Sequence, residues 1–164
     1  MVLIFFIIVA ISLFILNIKS GVLPVEIALC WMINAMINEL FILVTVANLK
    51  VMKISEELTS ALSIIIGMTF LIPMFTLFSV IYFLKVRSLI GKTVIFILSF
   101  FALSTNPYIF ERFRLVNISH LSLNFTSIYW GIALIINIVL LMGYRKVLTR
   151  AGIMYESITS SKKL

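Results

Sequence analysis

The chain has 164 residues and a mass of 18.6 kDa, which is room for one domain. Hydrophobic residues make up 63% and charged residues 12%, with a mean hydropathy of +1.24. That leaves too little polar surface to cover a globule, and it excludes a soluble domain, a disordered chain and a disulfide scaffold. Thirteen Lys and Arg stand against six Glu and no Asp, a formal charge of +7. The basic residues sit in short clusters between apolar runs, so they read as charges that orient helices and meet anionic headgroups, not as a nucleic-acid surface.

The expected fold is all-α, a membrane bundle of about five transmembrane helices over 1–18, 24–49, 58–84, 88–105 and 123–142. The first run, Met1 to Ile18, is almost unbroken and long enough to span roughly 30 Å of hydrocarbon. Its first charge, Lys19, follows the run where a secretory signal would carry basic residues ahead of it, so a retained helix is expected. Ser20 and Gly21 suit a tight turn, and Pro24 suits the first turn of the second helix. Lys50 to Glu57 forms a charged connection, in which Ser55, Glu56 and Glu57 resemble a helix cap with an acidic first turn.

The third run contains Pro73, which removes one hydrogen bond and displaces the carbonyl of Thr69, four residues back. A kink is expected there. The fourth run has an apolar heart of ten residues, Val94 to Leu103, and spans only if it begins near Ser88 with Lys92 reaching the headgroups. Asn106 before Pro107 is expected to end it. The connection from Ser104 to Ser122 reads as an aromatic belt with Arg112 and Arg114 at the headgroups, a short interfacial helix through Tyr108, Phe110 and Phe113 being the weaker pattern. Asn117 and Asn124 each open a glycosylation-type triplet, relevant only in a eukaryotic lumen. The fifth run is expected to stop at Tyr144, Arg145 and Lys146. This divides the chain into a transmembrane domain, 1–144, and a short basic tail, 145–164.

Five spans put the two termini on opposite sides. One side then carries Lys50, Lys53, Arg112 and Arg114, and the other carries Lys19, Lys85, Arg87, Lys92, Arg145, Lys146, Arg150, Lys162 and Lys163. The positive-inside bias makes the second side cytoplasmic, with the N-terminus outside. Richness in Ile, Phe, Lys and Asn suggests an AT-rich bacterial genome, and hence a bacterial cytoplasmic membrane.

Glu39 is the residue that stands out, because an ionised carboxylate near the middle of a span costs at least about 2.5–3.5 kcal/mol. Counting equal depths around the turn near Lys53 sets Glu39 opposite Met68 and Thr69. A protonated Glu39 donating to the carbonyl freed by Pro73 is therefore expected to join helices two and three. Thr59, Ser63 and Gly67 form a small-residue ridge on the same helix. Asn34, Asn38, Thr45 and Asn48 fall within roughly 80° of one another, with Glu39 about 100–180° away from them. Asn137 on the last helix is placed to meet that stripe. The candidate intramembrane polar site is thus Glu39, Asn34, Asn38, Thr69 and Asn137.

Cys30 is the only cysteine and His120 the only histidine, so neither a disulfide nor a Cys/His metal site is expected, and no cofactor. Glu26 is accounted for by the helix N-terminus, and Tyr129 and Trp130 by the membrane interface. HExxH, Gly-x-Ser-x-Gly, Walker and GxGxxG patterns are absent from the sequence. The expectation is a non-enzymatic structural or accessory membrane component, acting through a membrane-protein partner or as a homo-oligomer. The alternative is a small proton- or cation-translocating subunit that uses Glu39.

Overall fold

A computed structural model describes residues 2–19, 23–119 and 123–150. Five helical passages in it are long and apolar enough to cross a membrane: Val2–Lys19, Pro24–Asn48, Leu58–Lys85, Leu89–Arg112 and Leu123–Arg150. The first is helix α1. The second is α2 (Pro24–Ile42), finishing in a wide i→i+5 turn over Leu43–Asn48. The third joins α3 (Leu58–Ile66) to α4 (Ile72–Lys85) through another wide turn, Gly67–Leu71. The last two are α5 (Leu89–Arg112) and α6 (Leu123–Arg150).

The third passage is the axis of the bundle. It packs against each of the other four, and 61% of its apolar window is buried, against 11% for α1. Lipid is as apolar as leucine, so close packing and interhelical hydrogen bonds, not water exclusion, must hold such an axis in place. Gly67 supplies the closest approach. A Cβ there would lie 2.8 Å from Phe110 Cζ and 3.1 Å from Phe6 Cε2, so the bare backbone at Gly67 seats one ring from α5 and one from α1.

Pro73 is absorbed by a widened turn. The Ile72 N–H reaches back to the Gly67 carbonyl, five residues away, and the helix continues. Wide turns of this kind are one of the few ways to carry a register change inside a helix.

Two expected boundaries are corrected. Helix α5 runs through Asn106 and Pro107 to Arg112, because its continuation buries Phe110 against Phe6, with ring centroids 5.5 Å apart. A membrane helix tolerates an internal proline when its neighbours compensate in this way. Ser88 does cap α5, its hydroxyl accepting the Gly91 N–H at 3.1 Å. Helix α6 continues past Tyr144 to Arg150, so its last turns overlap the segment assigned to the tail. Residues 151–164, His120 and the turn at Ser20 and Gly21 lie outside the described residues.

The charged connections also differ from expectation. Met52–Ile54 (β1) and Val116–Ile118 (β2) pair antiparallel, with Met52 opposite Ile118, Lys53 opposite Asn117 and Ile54 opposite Val116. Ser55 does not cap α3. Its N–H donates to Leu115 O, and the Glu57 carboxylate instead takes the hydroxyls of Thr59 and Ser60. Alternation in the ribbon turns Met52 and Val116 into the core and Lys53 and Asn117 outward, so a two-stranded cap closes this end of the bundle.

Candidate functional site: a polar seam and an outward carboxylate

Helix α2 carries polar groups on two opposed faces, Glu26, Asn34 and Asn38 on the inner one and Glu39 on the outer. Its inner face meets α6 in a fixed antiparallel register. Glu26 pairs with Arg145, Asn34 with Asn137 and Phe41 with Trp130, so steps of eight and then seven residues along α2 are matched by the same steps back along α6.

Each level of this seam has its own chemistry. At one end, Arg145 Nε donates to Glu26 Oε1 at 2.7 Å, and Oε2 accepts the Leu23 N–H at 3.1 Å. The Glu26 side chain is 1% exposed and that of Arg145 26%. Glu26 is therefore half of an interhelical ion pair, where helix polarity alone had accounted for it. Midway, Asn34 and Asn137 exchange amide hydrogen bonds, at 2.7 Å from Asn34 Nδ2 to Asn137 Oδ1 and 3.0 Å in return. Each amide also donates one turn back on its own helix, to Cys30 O and Ala133 O. One turn on, Asn38 is 1% exposed and, among the described residues, neither its amide nitrogen nor its oxygen has a partner, nor does the Trp130 indole N–H. Further on, the Tyr129 hydroxyl donates to Ile37 O and the Thr45 hydroxyl to Phe41 O. Tyr129 and Trp130 thus pack against Phe41, with Trp130 1% exposed, which adds an interhelical contact to the interfacial role expected of them.

The five sequence-predicted residues separate into three places. Asn34 and Asn137 come together, and Asn38 lies one turn along the same buried face. Thr69 belongs to a different contact, because its carbonyl accepts the Trp31 indole N–H at 2.6 Å while Trp31 stacks on Phe70. Pro73 does leave that carbonyl without its usual donor, but Trp31 fills the place that had been given to Glu39. Glu39 itself is exposed on the outer face of α2 and makes no hydrogen bond or ion pair among the described residues. The reason is angular: once Asn34, Asn38 and Thr45 turn inward, a residue about 100–180° from them must turn outward.

Around Glu39 the outer face of α2 is apolar and open. Val25, Met32 and Glu39 recur at intervals of seven, flanked by Met36, Leu40 and Leu43, all exposed. Sequence reasoning missed the Glu26–Arg145 pair and the Trp31–Thr69 bond, and the matching seven- and eight-residue steps on α2 and α6 were the signal available for the first. Among the described residues, no group of three His, Cys, Asp or Glu is placed to hold a metal ion. Compared with known proteins, the chain matches no family model, no curated protein and no solved structure.

Proposed function

We propose that this protein is a non-enzymatic component of a membrane assembly, and that the outer face of α2 receives a membrane-spanning helix bearing a basic side chain at mid-depth. The observation that carries this reading is Glu39, a carboxylate well inside a 25-residue span that has no partner among the described residues and faces outward. Such a group in lipid is costly, and a cation on a neighbouring helix removes most of the penalty. The stripe around it has the seven-residue spacing of a helix-packing seam, and its methionines adapt to a partner's shape. Among the described residues, Lys and Arg lie in the connections or within about two turns of a helix end, so the described part of a second copy offers no cation at that depth.

The setting we propose is the bacterial cytoplasmic membrane, with the Lys19, Lys85 and Arg145 end of the bundle toward the cytoplasm and the ribbon outside. What supports this orientation is the larger number of basic residues at the first end.

The test uses a polyleucine span carrying one central Lys, co-expressed with the full chain, and reads association by energy transfer between fluorescent fusions. The chain should associate with the Lys span and not with an all-Leu span. Glu39→Gln should weaken that association at least tenfold. Equal association with both spans would overturn the reading. Glu39-dependent self-association would replace it with a homo-oligomer, and Glu39-dependent proton or cation flux into vesicles would replace it with a translocating subunit.

A further inference from the structure

At the ribbon end of the bundle, a cleft of about 470 Å³ is lined by Lys53 and Ser55 from the β1 segment, Glu111 from the last turn of α5, Arg114, and Asn117 from β2. Its volume lies in the range of small-molecule sites. Three features give it a definite chemistry. The side chains of Lys53 and Arg114 are exposed and make no hydrogen bond or ion pair among the described residues, so two cations face the cleft beside the Glu111 carboxylate. Glu111 is oriented, because its Oε1 accepts the Ile118 N–H at 3.1 Å, while Oε2 has no partner among the described residues. Arg114 is placed by the end of α5, where it takes the left-handed capping position at φ 57° with its N–H on Glu111 O and the Leu115 N–H on Phe110 O.

The cleft also sits at a particular depth. Helix α5 ends at Arg112 and the third passage begins at Leu58, so the lining residues stand at the ends of the apolar passages, the level at which a spanning bundle meets lipid headgroups.

We propose that this cleft binds a phosphate that carries a primary ammonium, the chemistry of a phosphoethanolamine group. The phosphate oxygens accept from Lys53 and Arg114, and Asn117 and Ser55 supply neutral polar contacts beside them. The ammonium donates to the free oxygen of Glu111. A bare phosphate would leave the carboxylate repelling it, and a trimethylammonium has no N–H to give. The site therefore discriminates at both ends of the ligand. Its ligand comes either from phosphatidylethanolamine in the bilayer or from a soluble phosphoethanolamine.

The experiment is calorimetric titration of the full-length protein in detergent micelles with short-chain phosphatidylethanolamine, phosphatidylcholine and phosphatidylglycerol. The ethanolamine lipid should bind at least tenfold tighter than either of the others. The double substitution Lys53→Gln with Arg114→Gln should weaken its binding more than tenfold. Glu111→Gln keeps a carbonyl to accept the Ile118 N–H, so the ribbon is retained. That variant should lose the preference over phosphatidylcholine while still binding phosphate. Equal binding of all three lipids by the unsubstituted protein overturns the proposal, as does tighter binding of phosphatidylglycerol, which would mark simple charge attraction. An ethanolamine preference that survives Glu111→Gln also overturns it. Displacement by free phosphoethanolamine assigns the cleft to the soluble ligand, and displacement by lipid alone assigns it to the headgroup; either supports the shared chemistry.

Discussion

Asn34 and Asn137, more than a hundred residues apart in the chain, each donate an amide hydrogen to the other's carbonyl across the interface of α2 and α6. In an aqueous protein such a pair is nearly balanced by lost hydration. In a membrane no water competes within the core, and an amide left alone there remains unsatisfied.

Removing both partners should therefore cost less than the two separate removals added together. Asn137→Leu should lower the unfolding free energy by about 1–3 kcal/mol, since it leaves Asn34 Oδ1 buried without its donor. Asn34→Leu with Asn137→Leu should be less destabilised than the two single losses added together, with a coupling of about 0.6–1.7 kcal/mol. Reversible unfolding in mixed micelles reads the cycle, and additive losses would show that the two amides are not coupled.

A second cycle isolates the contact between α2 and the widened turn. Trp31→Phe keeps the stacking on Phe70 but removes the donor to Thr69 O, and should cost about 0.5–1.5 kcal/mol. In a Pro73→Ala background the main chain regains an N–H able to serve that carbonyl, and the cost of Trp31→Phe should shrink toward zero. An unchanged cost in that background would mean the indole acts through packing alone.

Gly67→Ala places a methyl group 2.8 Å from the end of a Phe110 ring that is itself fully packed. A loss of about 1–3 kcal/mol is expected from overpacking. Phe110→Leu should then rescue part of the loss, although alone it destabilises. Failure of that rescue would place the strain elsewhere, most directly at Phe6.

Arg145→Met leaves the Glu26 carboxylate buried with only the Leu23 N–H. The expected loss is about 1–3 kcal/mol, below that of a fully buried pair because Arg145 keeps a quarter of its surface exposed. Raising the salt concentration should change the stability of the unsubstituted protein little, since Glu26 itself is shielded from ions. A large salt effect would identify the pair as a surface contact.

The composition and the spacing of apolar runs determined the five passages, with several ends within a residue or two, because a helix that satisfies its own backbone is the simplest way to cross lipid. The angular reading of α2 already held the decisive fact, that Asn34, Asn38 and Thr45 share one face and Glu39 lies off it. Which of the two faces turned inward was not readable from α2 alone. That depended on α6 presenting Asn137, Trp130 and Arg145 at matching depths, a property of two segments at once. Likewise, Pro73 announced a freed carbonyl at Thr69, but only the packing of α2 on the third passage brought Trp31 to it. Helix α5 crossed Pro107 because Phe6 waited on α1, and the short β ribbon formed because two loops distant in sequence met at one end of the bundle. Local sequence determined which segments cross the membrane; partners supplied by distant segments decided which faces meet and where the helices stop.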